Sequence, residues 1–223
     1  MPTHQKSLTA PAFALLVLLA GAACSPGADA PSAKGDAGTA LAAVDALTVK
    51  GRAPKTGYDR EKFGRAWTDV DRNGCGTRDD ILRRDLTGVR FKDGGHCKVA
   101  SGTLADDPYT GGSVDYVRGR SKVDIDHVVA LSDAWQKGAQ KWDAGTRLRF
   151  ANDPLNLLAV DAAANRRKSD GDAATWLPPN RAYRCAYVAR QVAVKKKYGV
   201  WVTGAERDAM KRVLGSCPDQ RLP

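Results

Sequence analysis

The stretch Lys122-Val123-Asp124-Ile125-Asp126-His127-Val128-Val129-Ala130-Leu131 decides how this chain is read. Its first half alternates apolar and polar residues, the period of a half-buried strand, and sets Asp124 and Asp126 on one face. His127 falls where the alternation gives way to a continuous apolar run. Neighbouring strand residues point to opposite faces, so Asp126 and His127 can reach one small ligand only if the strand bends or ends there.

Working outward, Ser132 to Gly138 and Ala144 to Phe150 read as short helices, and Asn152-Asp153-Pro154 leads into Leu155-Asn156-Leu157-Leu158-Ala159-Val160, a second strand. Asp161 can cap a short helix running to Lys168. The order is strand, excursion, strand, helix. Asn156 and Asn165 lie nine residues apart across the strand-to-helix turn, which can bring an amide oxygen back beside Asp126. A carboxylate, an imidazole and amides so arranged suit phosphodiester hydrolysis, which needs a base to activate water and a cation to neutralise charge.

Elsewhere the segment Tyr58 to Trp67 has helical spacing of Phe63 and Trp67, and Thr77 to Leu86 reads as a helix with an N-cap Thr. Short strands or a hairpin are expected around His96-Cys97-Lys98-Val99. Asp107-Pro108-Tyr109-Thr110-Gly111-Gly112 signals a turn. Arg181 to Tyr198 is a helix with a basic end, and Thr203-Gly204-Ala205-Glu206 matches a capping box opening a last helix that stops at Gly215. The expected fold class is α+β, with short strands set in a mostly helical domain.

The N-terminus, residues 1–24, reads as an export signal: Lys6, the apolar run Ala12 to Ala20, then small residues up to Cys24. That run is far short of the roughly 20 residues a membrane-spanning helix needs. Gly21-Ala22-Ala23-Cys24 resembles a bacterial lipobox, which implies lipidation of Cys24, with plain cleavage nearby as the alternative. Residues 25–50, rich in Ala, Gly, Pro, Ser and Asp, are expected to form a flexible tether, with a short Ala-rich helix at Ala40–Leu47 as the other reading. The globular domain is expected over 51–223.

Four further cysteines, Cys75, Cys97, Cys185 and Cys217, suit two disulfides in an oxidising compartment. Three pairings are possible; Cys75–Cys97 with Cys185–Cys217 is favoured because each staples neighbouring segments. Zinc is a poor rival, since no Cys-x-x-Cys occurs. His96 is expected to pack near a disulfide. Trp135, Trp142, Trp176 and Trp201 offer stacking surfaces but at helical spacing read as core. The net charge of +10 falls entirely after residue 50 and favours a polyanionic partner, although a solubilising or cell-wall-binding surface fits the charge equally well.

Asp124-x-Asp126-His127-Val128-Val129, Asn156-x-Leu158 and Asn165-Arg166-x-Lys168-Ser169-Asp170 together resemble the signature of HNH (ββα-metal) nucleases. The pattern is similar to the C-terminal nuclease domain of modification-dependent restriction enzymes, and to small secreted HNH proteins of actinobacteria. Asp107 to Gly111 and Trp176-Leu177-Pro178-Pro179-Asn180 extend the likeness to the secreted group. Ala130 stands where many relatives carry Pro, which affects only the stiffness of the turn. The resemblance implies a ββα-metal core with His127 as general base and Asn156 orienting its loop. It implies Asp126 and Asn165, with Asp124 as a weaker third, as ligands of one Mg²⁺, Mn²⁺ or Ca²⁺ ion. Arg166 and Lys168 would hold flanking phosphates, and the products would carry 5′ phosphate. The partner implied is nucleic acid, DNA in preference to RNA, cut outside the cytoplasm; a membrane enters only through a lipid anchor. The alternative is a catalytically silent envelope lipoprotein holding nucleic acid or another polyanion.

Overall fold

The computed structural model describes residues 1–3 and 38–223. The export signal, Cys24 and the first part of the expected tether lie outside these residues. The described chain is α+β with two small antiparallel sheets. Helices α1 (Ala40–Asp45) and α2 (Thr77–Asp85) precede strands β1 (Thr87–Phe91), β2 (Val99–Leu104), β3 (Val114–Val117) and β4 (Val123–His127). Then come α3 (Leu131–Gln136), α4 (Ala144–Ala151), β5 (Leu157–Asp161), α5 (Ala162–Lys168), α6 (Arg184–Tyr198) and α7 (Gly204–Gly215).

The pair β4–β5 is the centre of the fold. Its register runs from Val123 opposite Asp161 to His127 opposite Leu157, without a bulge. One face carries Val123, Ile125, Leu157 and Ala159 into a core shared with Ile81 and Leu82 of α2. The other face carries Asp124 and Asp126 toward α5, whose N-terminus is capped by Asp161 accepting from Ala164 N at 2.7 Å. The strand ends at His127, where the apolar run begins, as the parity of Asp126 and His127 demands. A second sheet, β1–β2–β3, abuts this core and was foreseen only as its first hairpin.

Three expectations need correction. Residues 39–50 are packed chain rather than tether, and the alternative of a short Ala-rich helix there holds as α1: Ala40, Leu41 and Val44 are buried in a core with α6 and α7, and Val202 N donates to Thr48 O at 2.9 Å. The expected helix at 58–67 is a single 3-10 turn, Arg60–Phe63. Gly64 and Trp67 both have positive φ, 78° and 60°, which ends any helix. A side chain at Gly64 would also meet Leu148 at 2.8 Å. Thr77 is the first residue of α2, whose N-cap is Gly76.

The capping box at α7 is half made. Thr203 Oγ1 accepts from Glu206 N at 3.1 Å, but the Glu206 carboxylate turns inward and pairs with Lys137 (2.6 Å) and Lys195 (2.9 Å), all three side chains fully buried. Lys137 also meets Asp133 at 2.7 Å and Asp172 at 2.8 Å, and Arg52 closes the cluster on the same two carboxylates at 2.8 and 2.7 Å. Three cations thus face three carboxylates where α3, α6, α7 and the chain before the 3-10 turn meet. Both favoured disulfides are formed, Cys75–Cys97 and Cys185–Cys217.

Candidate active site

A cavity of about 490 Å³ opens over the end of β4, lined by Asp124, Asp126, His127, Asn165, Ser132 and Asp170, with Lys55, Arg60, Arg78 and Trp67 among the other walls. Asp124 and Asp126 are both aimed at α5. Asn165, in the middle of that helix, places its amide nitrogen 3.3 Å from Asp124 Oδ2. Asp124 is only half buried, so this carboxylate, the weaker candidate on sequence grounds, is the more open of the two.

Asp126 is held from behind. Its Oδ1 accepts from Lys168 Nζ at 3.0 Å and its Oδ2 from the Tyr109 hydroxyl. Lys168 Nζ also donates to the His127 carbonyl at 2.9 Å. Burial raises the Asp126 carboxyl above its ordinary range, while Lys168 and Tyr109 favour its ionised form. Lys168 is therefore a buried clamp, 2% exposed, and not the surface phosphate contact expected of it. Helix α5 explains why: Ala164, Asn165 and Lys168 share its inner face, while Arg166 and Arg167 point to solvent. Arg166 does not line the cavity; Arg60, Arg78 and Lys55 do.

The outlying sequence likenesses serve this clamp. Asp107 is fully buried; it accepts from Thr110 N at 2.8 Å and from Asp161 N at 3.0 Å, fixing the turn that carries Tyr109. Trp176 packs edge-on to the Tyr109 ring at 4.9 Å, and Asn180 N donates to Tyr109 O at 3.0 Å. The two segments 107–111 and 176–180 meet, and together they aim one hydroxyl at Asp126.

His127 is 7% exposed, and burial pushes its imidazole down to about 3, so the ring is neutral in ordinary buffers. Its Nε2 lies 2.8 Å from Ala151 O. A carbonyl only accepts, so Nε2 carries the proton and Nδ1 keeps the free lone pair. The loop after His127 is clasped by Asn156, which is fully buried. Its Oδ1 accepts from Val129 N at 2.8 Å, its Nδ2 donates to Val129 O at 3.2 Å, and its carbonyl accepts from Val128 N at 2.8 Å.

Trp67 completes the site, and no sequence motif pointed to it. Its ring faces that of His127 with centroids 6.5 Å apart and planes 19° from parallel, and the Arg78 guanidinium lies over it at 5.5 Å. The loop bearing it is pinned by Thr68 N donating to Asn152 Oδ1 at 3.1 Å, by Asp69 accepting from Gly74 N at 2.9 Å and by the Cys75–Cys97 disulfide. The tryptophans considered on sequence grounds lie elsewhere: Trp135 is buried in a separate core, Trp142 and Trp176 pack against cores, and Trp201 lies beside Gly138. His96 stands exposed next to Cys97. With Cys75 these are the only three-residue His, Cys or acidic group close enough for a metal among the described residues, and the disulfide withdraws both sulfurs.

The family of GmrSD restriction endonucleases, C-terminal domain, matches residues 76–213, a span that contains Asp124, Asp126, His127, Asn156 and Asn165. An uncharacterized secreted protein of the fungus Arthroderma benhamiae is 39% identical over 183 residues, covering 81% of this chain and 86% of the relative. That relative is fungal, so the likeness reaches beyond the actinobacterial proteins the sequence suggested. No solved structure matches the chain. With residues 76–213, more than half of the chain, inside the matched span, the chain belongs to the family of the GmrSD restriction endonuclease C-terminal domain.

Proposed function

We propose that the protein is an exported endonuclease of the HNH (ββα-metal) type that hydrolyses phosphodiester bonds of nucleic acid, DNA in preference to RNA, with one divalent ion. The observation that carries the reading is the His127 ring. It is neutral, its Nε2 proton is committed to Ala151 O at 2.8 Å, which leaves the lone pair on Nδ1, and the ring lines a cavity shared with two carboxylates and an amide. That is the state a general base needs before it takes a proton from water.

Asp124, Asp126 and Asn165 are hard oxygen donors of the kind that magnesium, manganese or calcium takes. The donor set fits in kind: two carboxylates and an amide line one cavity, with Asp126 paired to the Lys168 ammonium and Asp124 met by the Asn165 amide. When bound, the ion neutralises charge on the phosphate and on the departing 3′ oxygen. Lys168 and Tyr109 fix Asp126, Asn156 fixes the backbone after His127, and Arg60 and Arg78 stand where a phosphate strand enters. Export is supported by the leader-like N-terminus, by both disulfides and by the description of the fungal relative as secreted; lipidation of Cys24 remains a proposal from the lipobox alone.

Plasmid nicking with Mg²⁺, Mn²⁺ and EDTA tests the reading. Cleavage is expected with a divalent ion, abolished by EDTA, and reduced by orders of magnitude in His127→Ala protein of unchanged thermal stability. Cleavage that persists in EDTA, or full activity in that variant, would overturn it.

A further inference from the structure

A second cavity of about 660 Å³ adjoins the first and shares Arg60, Trp67, His127 and Leu131 with it. Its remaining walls are Phe63, Gly64, Ala66 and Ala151, with Arg65, Asp59 and Glu61 at the sides. The two compartments differ in chemistry. The first carries the paired carboxylates with Lys55, Arg60 and Arg78; the second is mainly apolar, flanked by the Trp67 ring and by two acidic side chains balanced by Arg60 and Arg65. Its volume lies in the usual range for clefts that take a small molecule.

We infer that this second cavity receives the base of an unpaired nucleotide next to the scissile phosphate, so that the protein prefers single-stranded or locally opened nucleic acid to intact duplex. The inference rests on the nuclease reading above and adds the form of its substrate. Asp59 and Glu61 offset Arg60 and Arg65 in the lining of this cavity, so it offers a phosphate no net attraction, and its apolar walls suit a base better than a backbone. The same carboxylates accept hydrogen bonds, which suits the exocyclic amino groups carried by adenine, cytosine and guanine.

Aromatic rings accept bases by their π-faces whatever the sequence. Trp67 is half buried and stands at the junction of the two compartments, so a strand whose phosphate lies before His127 has its neighbouring base beside that ring. Within a duplex that base is stacked and paired, and entry requires its extrusion, an unfavourable step that a single strand avoids. The positive φ of 60° at Trp67, unusual for a bulky residue, is held in place by the pinned loop 67–76. The backbone that carries the ring is thus fixed in position before substrate arrives.

The test uses the full chain. With His127→Ala protein in Mg²⁺, anisotropy of a labelled single strand, of the same strand carrying one abasic position, and of its duplex reads binding without cleavage. The intact single strand is expected to bind tightest, and Trp67→Ala to weaken it roughly five- to a hundredfold, with Trp67→Phe recovering part of the loss. Because Trp67→Ala can disturb its loop, Ala66→Phe, at an exposed wall position, serves as a second variant that fills the cavity. It should weaken the single strand and leave the duplex unchanged. In the protein with His127 restored, cleavage rates should follow the same order. Equal binding of abasic and intact strands, or a preference for duplex in a protein that still cleaves with Mg²⁺, overturns the base pocket while leaving the nuclease reading standing. Absence of cleavage on every substrate and ion overturns both.

Discussion

Replacing Asn156 by alanine removes the clasp that fixes the backbone after His127, and the structure sets the size of the effect. The side chain satisfies both the N–H and the C=O of Val129, at 2.8 and 3.2 Å, and Val129 is 1% exposed, so water cannot take its place. Each buried backbone group left without a partner costs about 1–3 kcal/mol. The variant should therefore lose roughly 2–6 kcal/mol, taking both groups together. For a domain of this size that corresponds to a melting temperature lower by about 4–24 °C. Gln191 Nε2, donating to Val128 O at 3.2 Å, still holds the loop from the α6 side, so the protein should fold. The released loop no longer aims Nδ1, and a displacement of about 1 Å is worth roughly a hundredfold in rate. Differential scanning fluorimetry and plasmid nicking below the new melting temperature check both numbers. A shift under about 2 °C, or full nicking activity despite a large shift, would refute the assignment of Asn156 as the positioning residue.

Lys168→Met leaves Asp126 buried without its ammonium and should cost about 3–5 kcal/mol in urea unfolding, whereas the Asp126→Asn/Lys168→Met double variant should recover much of that stability while remaining inactive. Acid should weaken the fold through His127. The buried ring holds its proton only near pH 3, while the unfolded ring binds one below about 6.5. Stability is therefore full above 6.5 and falls as the pH drops toward 3, by about 2–3 kcal/mol at pH 4.5, and His127→Gln should flatten that part of the profile. Breaking the Cys75–Cys97 bond by a double Ser substitution, across a separation of 22 residues, should cost about 3 kcal/mol. Because the same bond pins the Trp67 loop, single-strand binding should suffer more than duplex binding.

The centre of the site was legible because it is local. Asp124, Asp126 and His127 sit on one strand, Asn156 just before its partner strand and Asn165 on the helix that follows, so alternation, parity and one capping Asp suffice to bring them together. Lys168 was legible in principle, since a helix position three after Asn165 and four after Ala164 points inward, but a basic run reads as solvated unless its faces are separated. Arg60, Trp67 and Arg78 were not legible. They reach the cavity from more than forty residues upstream, Arg78 from the first turn of α2 and Arg60 and Trp67 from a single 3-10 turn and the chain after it, and the break at Gly64 and Trp67 depends on positive φ values that spacing alone does not announce. The packing of residues 39–50 was hidden similarly, because Ala-rich composition looks alike in a tether and in a short helix seated on α6 and α7.

The buried cluster of Lys137, Lys195, Arg52, Asp133, Asp172 and Glu206 constrains how this sequence can change over generations. Losing any of its five buried members, all but Arg52, whose side chain is 34% exposed, strands an opposite charge in the interior, at about 3–5 kcal/mol, whereas replacing the whole set by apolar residues of similar volume is often neutral. No single-step path connects those two solutions without crossing a destabilised state. The positions must drift in compensating pairs, so a collection of related sequences should show them either charged together or apolar together, with mixed combinations rare.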